Sequence, residues 1–258
     1  MRILFIGDIV GKPGRKAVRL LLPRLRQELR PDVILANGEN MAGGAGITRD
    51  TAQEMFGLGV AGLTTGNHVW DQREAIELLN EQVPIVRPLN WPPGTPGRGW
   101  MDIPVGEEHL TVIDVQGRVF MRALDDPYRA PDAALEELHD RKHILVDIHA
   151  EATGEKQALG FFLDGRVSAV VGTHTHVPTA DARLLPRGTA YISDVGMVGP
   201  RDSVIGMDPE GVIRRNRTQM YHRYEVGRGP VAFNAALIEL GLDRTSTGIR
   251  LVQELLPG

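Results

Sequence analysis

Three short apolar runs near the N-terminus restrict this chain more than any other feature, because each closes on a glycine-containing polar corner and each is followed by a helical pattern. Arg2 to Ile6 reads as a buried strand that ends at Gly7-Asp8. Val33 to Ala36 is a second, ending at Asn37-Gly38-Glu39-Asn40, and Val60 to Thr65 a third, ending at Gly66-Asn67-His68. Runs that are apolar throughout fit strands covered on both faces. The segments between them predict helices over about Arg15–Leu29, with a kink or break at Pro23, over Arg49–Phe56, capped by Thr48 and helped by Asp50, and over about Asp71–Asn80. Alternation of strand and helix means an α/β sheet, and such sheets bind ligands beyond the carboxyl ends of their strands. The three polar corners therefore fall at one edge.

The stretch from Ile9 to Arg15 is read as a loop. Its glycines miss both nucleotide-phosphate fingerprints, since Pro13 follows Lys12 where a P-loop needs Ser or Thr. Pro84 to Gly99 is rich in proline and glycine, and reads equally as a lid or as a surface excursion. Trp100–Val105 and Leu110–Val115 predict a hairpin, and Asp132 a short helix running to His139. His143 to His149 predicts a further buried strand, and Glu155–Leu163 a helix. The run Arg166–Val171 then predicts a strand that gives way to Gly172-Thr173-His174-Thr175-His176. In extended backbone, residues two apart face the same way, so both imidazoles are expected to leave the strand toward one place. Imidazole is a common metal ligand, yet an isolated His-x-His reads more readily as a pair of exposed loop histidines. Thr189–Ser193 predicts a short strand, Asp194–Asp202 a glycine-rich loop, Pro209–Arg217 a helix with a solvated arginine face, and Val231–Leu240 with Gly248–Leu256 a hairpin.

Composition narrows the chemistry. A chain of 258 residues with 42% hydrophobic content can bury a sizeable core, and neither a linker nor a repeat divides it, so one domain over 1–258 is expected. The net charge of −4 offers no electrostatic footprint for duplex DNA. With no cysteine, any metal must be held by nitrogen and oxygen donors, which suits iron, manganese or zinc. No apolar run is long enough for a signal-peptide core or a membrane span, so a cytoplasmic protein without membrane contact is expected.

Collected from strand ends, the candidates are Asp8, Glu39, Asn67, His68, His149, His174 and His176. The remaining histidines, His109, His139, His143 and His222, are assigned hairpin, helix-end or surface roles. The order Gly7-Asp8, Gly38-Glu39-Asn40, Gly66-Asn67-His68, a lone His149, then Gly172-Thr173-His174-Thr175-His176 resembles the calcineurin-like metallophosphoesterases, and within them the bacterial YmdB-like branch. The wider superfamily begins with Asp-x-His and bridges its metals with Asp; this chain has Asp8-Ile9-Val10 and Glu39, as that branch does.

The resemblance implies two packed mixed β-sheets flanked by helices, a four-layer sandwich. It implies two divalent metal ions, iron or manganese with zinc as a third option, one held by Asp8, Glu39 and His176 and the other by Glu39, Asn67, His149 and His174. Asn40 is expected either to replace the missing nitrogen ligand or to contact phosphate. The implied activity is a phosphodiesterase opening 2′,3′-cyclic nucleotides to nucleoside monophosphates, with a hydroxide bridging the ions and His68 as general acid. Two alternatives stay open: a phosphomonoesterase, and a weakly catalytic regulatory binder of nucleotide or RNA. The expected partner is a small nucleotide or other phosphodiester, and a homo-oligomer is left open.

Overall fold

In β1 (Arg2–Ile6) successive side chains point to opposite faces, and both faces are covered. Ile3 and Phe5 enter a core shared with residues of a second sheet, whereas Leu4 and Ile6 enter a core roofed by helices. The computed structural model describes residues 1–258 and builds outward from this strand.

In the first sheet, β1 pairs in parallel with β3 (Val33–Asn37), and β3 with β4 (Gly62–Thr64). On its other side β1 runs antiparallel to β12 (Val231–Leu240), which pairs with β13 (Ser246–Leu256). Past Gly7 the chain continues as β2 (Asp8–Ile9), and β11 (Met197–Pro200) lies between β2 and β12. The second sheet has the order β5 (Trp100–Val105), β6 (Glu108–Gln116), β7 (His143–His149), β8 (Ala169–Thr173), β10 (Ala190–Ile192) and β9 (Arg183–Leu184). Its four central strands are parallel and both edge pairs antiparallel. Helices α1 (Gly11–Leu29), α2 (Arg49–Gly57) and α3 (Glu74–Asn80) cover the outer face of the first sheet; α4 (Arg129–Glu137) and α5 (Thr153–Leu163) cover that of the second. The result is the expected α/β sandwich of two mixed sheets between helices. No helix is long and apolar enough to cross a membrane.

Several local expectations shift. The segment read as a loop from Ile9 to Arg15 begins α1 at Gly11. Pro13 lies in the first turn, where the backbone N–H groups have no helical partner to lose. Gly14 is required there, since a Cβ would lie 2.3 Å from the Val198 carbonyl oxygen. Pro23 does not end the helix, which runs on with Leu22 and Leu25 buried. Asp194–Asp202 is also more than a loop, because β11 forms within it through pairing on both sides. Asp132 does not cap α4; it sits in the first turn and accepts from Arg166. The helix predicted from Asp71 starts at Glu74. Thr48 does cap α2, through a reciprocal pair with Thr51. His143 is buried at the start of β7, with Nε2 3.3 Å from Glu108 Oε2, contrary to the hairpin, helix-end or surface roles expected of it. The 84–99 segment is held by its own carbonyls, which accept from the Arg87 guanidinium, and by β6 through Leu89 and Asn90.

Candidate active site

All the strand-end candidates gather at one end of the two sheets, and glycines make the gathering possible. A Cβ on Gly7 would lie 1.8 Å from the Gly196 carbonyl oxygen, so only glycine lets β1 turn into β2 and seat Asp8 beside that loop. A Cβ on Gly66 would lie 2.3–2.5 Å from His149 and Glu39, so this glycine keeps the strand-end corner open between the two side chains. Asn37 ties the second corner down: its amide donates to Thr65 O (2.9 Å) and Asp147 Oδ2 (3.2 Å), while its own oxygen accepts from Glu39 N (3.1 Å).

His149 is the hub. Its Nδ1 lies 2.9 Å from Thr173 Oγ1, and that hydroxyl donates to Asp147 Oδ1 at 2.7 Å. With the hydroxyl proton committed to Asp147, Thr173 must accept from His149 Nδ1–H. In the neutral ring the lone pair is therefore on Nε2, which faces the site. Around it stand Glu39 Oε1 at 3.0 Å, Asn67 Oδ1 at 3.0 Å and His174 Nδ1 at 3.1 Å. One ring proton cannot serve three acceptors, whereas a cation can. Glu39, His149 and His174 offer ligand atoms within 4.8 Å of one another and could hold a metal ion. Without one, charge settles locally. Burial would lower His149, but the Glu39 carboxylate overrides it and carries the ring up to about 9. Burial would raise Glu39, but His149 brings it down to about 2. Burial and then the neighbouring His149 push His174 down to about 3.

His176 faces a second cluster. Its Nδ1 donates to the Ile205 carbonyl at 2.8 Å, leaving the Nε2 lone pair 3.3 Å from Asn40 Oδ1 and 3.8 Å from Asp8 Oδ1. The Asn40 amide nitrogen donates to Gly44 O, which fixes its oxygen toward His176. Asp8 Oδ1 is buried with no hydrogen-bond partner. Three acceptors with no proton among them also form a donor set suited to a hard or borderline cation. Burial raises Asp8 to about 6.

The alternation argument for the two motif histidines does not hold. β8 ends at Thr173, and His174 and His176 lie beyond it with φ of 98° and 66°. The left-handed backbone sends His174 toward His149 and His176 toward Asn40 and Asp8. Strain of this kind persists only where surrounding contacts over-determine it. Those contacts include Asp194, which accepts from Thr175 N (3.1 Å) and Thr175 Oγ1 (2.8 Å) and pairs with buried Lys156 (2.7 Å).

His68 is on the cavity wall. Its backbone N–H donates to Glu39 Oε2 at 2.9 Å, and its Nδ1 pairs with Asp71 Oδ2 at 2.7 Å. Sequence reasoning missed Asp71, Asp147, Thr173 and the Lys156–Asp194 pair. Asp147 had one signal, a charge inside an otherwise apolar strand.

Known proteins resemble this chain in sequence and in fold over nearly its whole length. The model of the family described as "YmdB-like protein" matches residues 4–252. The chain is 44% identical over 257 residues to the 2′,3′-cyclic-nucleotide 2′-phosphodiesterase of Bacillus subtilis (strain 168), covering 99% of this chain and 97% of that one. A hypothetical protein from Thermus thermophilus, of known crystal structure, superposes with a TM-score of 0.94 at 46% identity over the whole of both chains. A phosphatase from Mycoplasma pneumoniae superposes with a TM-score of 0.94 at 29% identity, over 100% of this chain and 94% of that one. With a family model spanning nearly every element described above and a relative matched from end to end, the chain belongs to the YmdB-like protein family.

Proposed function

We propose that the protein is a phosphodiesterase that opens 2′,3′-cyclic nucleotides to nucleoside monophosphates with the help of two divalent metal ions, iron or manganese, with zinc as the further option. The observation that carries this is the crowding of Glu39, Asn67 and His174 around the single nitrogen His149 Nε2. Those four residues would hold one ion. Asp8, Glu39 and His176 would hold the other, with Asn40 Oδ1 as the oxygen donor that replaces the superfamily's missing histidine. Metals held there would supply Lewis acidity, lowering the pKa of a bound water and neutralising phosphoryl charge.

The chain's own residues do the rest. Asp147, through Thr173, holds His149 in one tautomer, and the Ile205 carbonyl does the same for His176. Glu39 presents one oxygen toward His149 while the other is steadied by His68 N. His68, aligned at Nδ1 by Asp71, delivers a proton from Nε2 to the departing ribose oxygen as the water oxygen bonds to phosphorus. One P–O bond forms to the water oxygen as the one to the ribose oxygen breaks, and the proton given up by the water balances the one that His68 delivers.

The test is elemental analysis of the purified protein, followed by a panel of mono- and diesters on the same sample. Rapid opening of cyclic diesters with metal bound is expected. Faster turnover of monoesters would favour the phosphomonoesterase reading, which the Mycoplasma relative's phosphatase name supports. Tight nucleotide binding without turnover would favour a regulatory binder.

A further inference from the structure

The cavity at the site, of about 500 Å³, has two chemically distinct walls. Glu39, Asn40, His68, His174 and His176 line one, and these are the cavity-lining residues that the reaction proposed above uses. The other is apolar and comes from a single stretch of chain, with Val204, Ile205, Met207, Val212 and Tyr224 around Asn216. We propose that this second wall receives the base of the nucleotide substrate, with adenine preferred; the inference rests on the phosphodiesterase reading of the site.

Four features converge on it. First, the Arg215 guanidinium lies 4.8 Å from the Tyr224 ring centroid, covering one face of a ring that lines the cavity. A ring backed in this way is pre-organised to stack a second planar group. Second, Val212 and Asn216 lie one turn apart on α6 (Pro209–Thr218), so they share a helix face and put an apolar contact and an amide side by side.

Third, Val204 and Met207 exchange backbone hydrogen bonds of 2.9 and 3.0 Å around Ile205-Gly206, whose φ values are 47° and 97°. Two left-handed residues in a two-residue turn call for Asn-Gly or Gly-Gly, and a β-branched residue there is strained. Ile205 bears the strain with its side chain half-exposed at the cavity, while its carbonyl holds His176. An apolar side chain held in strain at the mouth of a polar site is accounted for by a ligand with an apolar face. Fourth, Gly44 has φ of 100°, and a Cβ there would lie 2.9 Å from Met207 Cε, so the 43–45 backbone, which also lines the cavity, closes against Met207.

The edge of the base would meet Asn216. A carboxamide offers one donor and one acceptor side by side, which matches the N6 and N7 of adenine and mismatches the two acceptors of guanine.

The test compares adenosine 2′,3′-cyclic phosphate with the base-free methyl riboside 2′,3′-cyclic phosphate. For Tyr224→Ala the kcat/KM ratio between these substrates should fall about tenfold to a hundredfold, with the loss carried by KM. Tyr224→Phe should keep the ratio, and Asn216→Ala should erase the preference for adenosine over guanosine. An unchanged ratio in Tyr224→Ala, or an equal loss of kcat on both substrates, overturns the proposal. If the wild-type enzyme hydrolyses neither substrate, the phosphodiesterase reading has failed. The subsite is then decided by calorimetric titration with adenosine 3′-monophosphate: weaker binding by Tyr224→Ala supports it, and equal or absent binding overturns it.

Discussion

Replacing Lys156 by methionine isolates the contribution of one buried charge. Lys156 is 1% exposed, and its Nζ lies 2.7 Å from Asp194 Oδ2. Methionine fills much the same volume as the lysine stem, so the packing loss is small. What remains is a carboxylate buried beside Thr175 with no opposite charge. Removing one partner of a buried pair costs about 3–5 kcal/mol. Asp194 keeps three hydrogen bonds, from Thr175 N, Thr175 Oγ1 and Gly196 N, which places the cost near the lower end. At about 2–4 °C per kcal/mol for a domain of this size, the melting temperature should fall by about 6–12 °C. Calorimetry on the metal-free protein reads this directly. Lys156→Met/Asp194→Asn should recover part of the loss, since it removes the stranded charge. A fall of less than about 2 °C, or a double variant that shows no coupling, would refute the idea that this pair secures the motif between β8 and β11.

Three further outcomes are expected. His68→Ala should retain its metal by elemental analysis while turnover drops by about 10²–10⁴-fold; loss of metal would contradict a proton-donor role. His174→Ala and His176→Ala should each lose about half of the bound metal, at different positions in anomalous difference maps, and one shared position would disprove the division of ligands. Asp114→Asn should raise the melting temperature of the metal-free protein at pH 8 and leave it little changed at pH 4. Burial, and next Asp147, hold the Asp114 carboxyl well above its ordinary range in the folded state. Its contribution is therefore intact below the unfolded value of about 3.9 and is lost as pH rises toward the folded value. A gap between variant and wild type that does not change with pH would refute that account.

Much of this molecule is legible in its sequence, and the misses share a cause. His143–His149 reads correctly to the residue because a buried strand between two apolar cores has only one pattern available. β11 is hidden because Gly196-Met197-Val198-Gly199-Pro200 has little strand preference of its own; its conformation comes from docking between β2 and β12. Gly11, Pro13 and Gly14 look like breakers, yet they begin a helix, because close approach to Asn40 and Val198 decides their conformation. The candidate residues are visible as polar side chains at strand ends. Their supports are not. Lys156 in a helical pattern reads as solvent-facing, and Asp71 reads as part of a helix rather than as the partner of His68.

Gly7 and the two strands it joins also set an order of events in biosynthesis. Asp8 is seated by a backbone bond to Gly196, and β1 completes its pairing only with β12, with contacts reaching from Met1 to Leu240. A nascent chain presents Asp8, Glu39 and His68 long before these partners leave the ribosome. Closing so long a loop is slow, and until it closes the first sheet has an open edge. A ribosome-stalled chain that ends before β12 therefore lacks the strand that completes the first sheet, and should aggregate more readily than the full chain.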